Sequence, residues 1–181
     1  MKLVYGFFWL LVFGLSAISS AQTASSINLQ PLPLSRPVLY GILFKEVANF
    51  QTVAAKLSSQ NKPGTFFQHY HGQIFDLSPA LEDQLKTIAL PSAAKIQDFD
   101  RRAFALIKAT KDKYRGAARN STSLVPPPPA ALMVLQQERN SSLNADVNSL
   151  AAAFGPAQFA VFEGRVRQYV GSHFTSATQG H

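Results

Sequence analysis

The chain has 181 residues, no cysteine, and 17 Lys and Arg against 10 Asp and Glu, for a net charge of +7. The missing cysteines exclude disulfides, thiolate metal sites and thiol catalysis, so stability rests on packing. The basic excess turns the protein towards anionic partners, and the length suits one domain with a real core.

Lys2 gives the N-terminus a positive start, and Leu3 to Leu15 is an uncharged apolar run of 13 residues. Small residues follow at Ser19, Ser20 and Ala21. Together they predict a secretory signal peptide over residues 1–21, cleaved before Gln22. The run is shorter than the roughly 20 apolar residues that a bilayer span needs. Export, to the periplasm or the extracellular space, places the mature chain away from ATP and nucleotide cofactors.

Residues 22–37 read as a flexible tether rich in Ser and Pro, in which Pro31, Pro33 and Pro37 exclude a helix. A single helical domain follows over 38–174, and 175–181 reads as a disordered tail. The first helix is expected over about 38–60, where Leu39, Leu43, Val47, Phe50, Val53 and Leu57 recur on one helical face. Asn61-Lys62-Pro63-Gly64 ends it. A shorter helix over 65–75 carries Phe66, Phe67, Tyr70 and Phe75.

Ser78-Pro79 predicts the next helix start, with Ser78 as N-cap and Pro79 at the first helical position. Glu82 and Asp83 fall in its first turns, where carboxylates suit the helix dipole. The apolar positions Leu77, Leu81, Leu85, Ile88, Ser92, Ile96, Phe99, Ala103, Leu106, Thr110 and Tyr114 keep a spacing of three or four across Pro91. The unbroken phase predicts one long kinked helix from Ser78 to about Arg115, not two helices with a corner.

After a polar linker, Pro126 to Pro129 form a stiff spacer of polyproline II geometry. A fourth helix is expected over 130–154, with Leu132, Leu135, Leu143, Val147, Leu150 and Phe154 on its apolar seam. Arg139 interrupts that seam and is expected to pair with a carboxylate or to snorkel to the surface. Gly155 stops this helix and Pro156 opens a fifth, reaching about Ser172 and carrying Phe159, Phe162, Val166 and Tyr169. No segment alternates with a period of two. The expected fold is all-α, an elongated antiparallel bundle of four to five helices with one long kinked central helix.

No catalytic constellation emerges. His69 and His71 are two residues apart, which puts them on different faces of a helix rather than in a metal pair. His173 and His181 lie near the C-terminus, and there is no Gly-x-Ser-x-Gly elbow and no glycine-rich phosphate loop. Asp98 and Asp100, next to Arg101 and Arg102, read as local charge balance. The sequence therefore predicts neither an enzyme nor a cofactor.

The charge is concentrated between residues 101 and 119, where Arg101, Arg102, Lys108, Lys111, Lys113, Arg115 and Arg119 face one acidic residue, Asp112. This stretch is the candidate contact for acidic or unfolded envelope proteins, or for an anionic envelope surface. Its plain alternative is a solvated helix face whose cations complement the dipole. Nucleic acid is not expected, for want of interleaved aromatic and basic residues.

Two helix starts, Leu77-Ser78-Pro79-Ala80-Leu81 and Phe154-Gly155-Pro156-Ala157-Gln158, resemble the Leu-Thr-x-x-Gln repeat of the Spy/CpxP family of bacterial periplasmic stress proteins. Leu81 stands where that repeat has Gln, and Phe154-Gly155 where it has Leu-Thr. The resemblance implies an exported helical dimer that chaperones without ATP on a basic, partly apolar concave surface. The longer order of Leu-Ser-Pro helix, proline run, Leu135-Gln-Gln-Glu138-Arg139-Asn140 and Gly155-Pro156-Ala-Gln-Phe159-Ala-Val-Phe162 is similar to that of uncharacterised exported helical proteins of environmental Gram-negative bacteria. That likeness implies a fold and an address, and no activity. The expected function is that of an exported non-enzymatic envelope protein with a binding or structural role, of which ATP-independent holdase-like chaperoning is one form. The alternative is a module that docks one envelope partner through Pro126–Pro129 or the aromatic segment 65–75.

Overall fold

Proline and glycine set most of the helix ends. The computed structural model describes the backbone of residues 34–115 and 128–178, and the side chains of 34–114 and 128–172. The expected signal peptide, most of the tether, Pro126, Pro127 and Arg119 lie outside the described residues. Within them the regular structure is all helical: α1 (Arg36–Ser59), α2 (Thr65–Gln68), α3 (Tyr70–Ile74), α4 (Pro79–Arg115), α5 (Ala130–Phe154) and α6 (Pro156–Thr178).

Helix α1 starts two residues earlier than expected because Pro37 sits in its first turn, where a missing N–H costs nothing. The start of α4 is capped as the sequence implies, with the Leu81 N–H donating to Ser78 Oγ at 3.4 Å. Gly155 ends α5 at φ +75°, a left-handed conformation that glycine adopts without strain. Pro156 then opens α6 directly.

The expected single helix over 65–75 is corrected to two short ones, α2 and α3. The chain breaks at His69, whose φ of −111° and ψ of 11° leave the helical region. The break turns His71 inward while Phe66 stays outside. The described residues thus hold six helices where four to five were expected, and α6 runs to Thr178, past its expected end at Ser172 and into the expected tail.

Helix α4 continues through Pro91 for 37 residues, about 55 Å at 1.5 Å per residue. Pro91 is exposed, so the Thr87 carbonyl that loses its donor stands on the solvent side. Helices α4 and α5 run antiparallel. Ser92 and Lys95 bond Asp146 at 2.7 and 2.9 Å, and about two turns beyond Lys95 along α4, Arg102 meets Glu138 at 2.9 Å.

The core lies where α1, α4, α5 and α6 converge. Its largest fully buried side chains are Tyr40, Phe44, Phe75 and Phe162, with Leu43, Leu85, Ile96, Leu143 and Leu150 around them. Phe162 is the hub of the aromatic set, with ring centroids 5.0 to 6.5 Å from Phe154, Phe75, Phe159 and Tyr40. Arg139 does not meet the first of its two expected outcomes, since no carboxylate among the described residues pairs with it. It packs half-buried against Gly41, where a Cβ would stand 3.2 Å from Nη2, and its Nε is buried without a hydrogen-bond partner.

Candidate functional site

Helical geometry divides the basic stretch between two faces. At 100° per residue, Arg102, Leu106 and Lys113 share one side of α4. Arg101, Phe104, Lys108 and Lys111 follow at steps of three, four and three on another, within an arc of about 80°. All four of the latter are exposed, Phe104 at 69%. Arg115 is helical, and its side chain is outside the described set.

On the first face, α4 and α5 leave an open groove of about 630 Å³. Leu106, Val134 and Leu135 form its apolar floor, the small side chains of Ala105 and Ala131 leave it open, and Arg102 and Glu138 pair across its lining. The Arg102 guanidinium also lies over the Phe99 ring at 5.5 Å. A smaller hollow is lined by Thr110, Lys113 and Tyr114 of the same helix and by Pro128 and Pro129. Val134 is 56% exposed and Met133 69%, so this end of the α4–α5 pair presents large apolar side chains to water.

A second concentration of chemistry sits under α2 and α3. Glu82 is more than a first-turn carboxylate serving the helix dipole: its side chain is buried and ties the break between α2 and α3 to α4. His69 Nδ1 lies 3.1 Å from its Oε2, and Lys86 Nζ lies 2.7 Å from its Oε1. Burial alone would raise the Glu82 pKa, but hydrogen bonds from Lys86 and His69 outweigh it and bring the carboxyl below its usual range. Asp100 likewise reaches beyond local charge balance, to Lys45 of α1 at 2.9 Å, while Asp98 stays with Arg101 at 3.0 Å.

His71 is buried among the rings of Phe50, Tyr70 and Phe75. Its Nε2 has no hydrogen-bond partner and lies 4.0 Å from Glu46 Oε1. Glu46 accepts from the Tyr169 hydroxyl at 2.5 Å. Burial, and then that carboxylate, push the Tyr169 pKa up, so the hydroxyl keeps its proton. His69 thus meets a carboxylate of α4 and His71 lies near one of α1, an arrangement that spacing along the chain does not reveal. Among the described residues no group of three or more His, Asp or Glu could hold a metal ion.

Gly72 makes the Glu82 arrangement possible. A Cβ there would come within 2.5 Å of Glu82 Oε2, a carboxylate already anchored by two partners. Gly72→Ala is expected to destabilise by about 2 kcal/mol, through displacement of a buried charged group from its donors. Gly164→Ala in α6, with nothing within 4 Å of the new carbon, is expected to stabilise slightly. Urea midpoints of the two variants, moving in opposite directions, check this.

The aromatic segment 65–75 is mostly committed to packing. Phe75 is fully buried and Tyr70 stacks on Phe50 at 4.3 Å, leaving Phe66 exposed. Of the proline run, Pro129 precedes the first turn of α5, and its carbonyl accepts from Leu132 at 2.9 Å. Compared with known protein families, curated proteins and solved structures, the chain matches none.

Proposed function

We propose that this is an exported, non-enzymatic protein of the bacterial envelope that holds unfolded or acidic envelope proteins without ATP. The observation that carries the reading is the α4–α5 groove, whose apolar lining of Leu106, Val134 and Leu135 opens to water beside the Arg102–Glu138 pair, with Lys113 exposed on the same side of α4. Apolar surface next to a cation suits a chain that exposes both apolar and acidic side chains, as a partly unfolded client does. The likeness of two helix starts to the Spy/CpxP repeat points the same way. So does the leader-like run of residues 3–15, which argues for a compartment without nucleotide cofactors.

The chain from Gln22 onward is expected to suppress aggregation of a chemically unfolded client at near-equal stoichiometry, without ATP and less well as salt rises. Val134→Asp, at an exposed position on the groove floor, is expected to weaken suppression several-fold while leaving the fold intact. Light scattering of the client reads both. Absence of suppression at every salt concentration overturns the reading.

A further inference from the structure

We propose that the outer face of α4, distinct from the groove, docks the protein on an anionic lipid surface. Arg101, Lys108 and Lys111 surround Phe104, and all four side chains are exposed on one arc of the helix. Two heptads upstream on the same arc, Leu90 is also exposed. From Leu90 to Tyr114 no acidic residue falls within the arc. Asp100 is directed to Lys45, Asp98 pairs with Arg101 at one edge of the arc and Asp112 stands about 20° beyond that edge, so Lys108 and Lys111 carry most of the charge of the face.

The chemistry of the face selects the partner. A stable protein interface needs roughly 1,000 Å² with a cluster of apolar anchors, whereas this stripe offers two widely spaced apolar side chains among cations. A lipid headgroup layer needs no such cluster. It takes one aromatic ring at the acyl boundary and gains from each Lys or Arg near anionic headgroups. A helix face with its cations on one side lies flat on such a layer. Docked this way, the groove on the other side of α4 remains open.

The sequence supplies a clean reporter, because its single tryptophan is Trp9, ahead of Gln22. A chain beginning at Gln22 keeps the whole core cluster from Leu39 to Val170. In that chain Phe104→Trp is the sole indole. Its emission is expected to shift to the blue on vesicles containing phosphatidylglycerol and to stay unchanged on phosphatidylcholine alone. Lys108→Glu with Lys111→Glu is expected to reduce vesicle co-sedimentation about tenfold or more, and rising salt to do the same. Both lysines are exposed, so circular dichroism of the double variant is expected to match the parent. Co-sedimentation without a blue shift, an equal shift on neutral vesicles, or binding unaffected by the charge reversal would each overturn the proposal. The outcome is separable from client holding, since Val134→Asp is expected to leave vesicle binding unchanged.

Discussion

Phe162→Ala is expected to lower stability by about 3–5 kcal/mol, the range for removing a large aromatic from a well-packed core. Phe162 is 2% exposed and lies against Tyr40 of α1, Phe75 after α3, Phe154 of α5 and Phe159 of its own helix. One ring therefore joins three helices and the segment that closes the bundle. The hole left by its removal cannot collapse easily, because its neighbours are themselves rigid rings. For a domain of this size the expected fall in Tm is on the order of 10 °C. Phe66→Ala, at a ring 56% exposed, is expected to move Tm by no more than a degree or two. Thermal melts followed by circular dichroism separate the two. Equal shifts would mean that the aromatic set is not centred on Phe162.

The long helix was legible because Pro91 leaves the phase of the apolar residues intact. Leu85, Ser92 and Ile96, read as one stripe across the proline, are all buried, and only Tyr114 at the far end of the stripe is exposed. The hairpin between α5 and α6 was legible for a simpler reason, since Gly155 and Pro156 leave few other conformations. Helix α1 was read less well. Its stripe of Leu39, Leu43 and Val47 is buried as expected, but so are Tyr40 and Phe44, one residue round the helix. Helix α1 touches α4, α5 and α6, so it buries a wider arc than a surface helix does. Val53, expected on that stripe, is 40% exposed, and Ala54 is buried instead where Gly64 crosses α1.

The chemistry was harder to see than the fold. Nothing in the spacing of His69 and Glu82, 13 residues apart across a break and a new helix, shows that they meet. Their contact depends on the angle at which α3 returns to α4, which Gly72 permits. The division of the basic stretch was different, because it was present in the numbering. Residues 101, 104, 108 and 111 keep heptad steps, while 102 and 113 are 11 apart, and both patterns follow from 3.6 residues per turn. Counting cations along the chain merged two faces that the helix separates.

Acid is expected to loosen the packing under α2 and α3, with His71 as the principal group. Burial among Phe50, Tyr70 and Phe75 pushes its pKa down from 6.5 to about 4, against a smaller upward pull from Glu82 and with a further downward push from Lys86. In the unfolded chain the same imidazole titrates near its ordinary value. Between those two pH values the unfolded state binds a proton that the folded state refuses. Stability therefore falls as pH drops from 6.5 towards 4, and is regained as pH rises. The full displacement corresponds to about 3 kcal/mol, of which about 2 kcal/mol is lost between pH 7 and pH 5. Glu82 adds to this at lower pH with the same sign, since a carboxyl held below its usual range stabilises the fold only while ionised. Glu46 of α1, 4.0 Å from Nε2, is the carboxylate placed to receive His71 once it is protonated. It is already bound by Tyr169 of α6, so a charged His71 would compete with that hydroxyl and disturb the contact between α1 and α6. His71→Leu removes the titrating group and leaves an apolar side chain in an aromatic setting. Urea midpoints of the variant are expected to stay nearly level from pH 7 to pH 5, while those of the parent fall. Parallel slopes in the two proteins would place the acid sensitivity elsewhere than in His71.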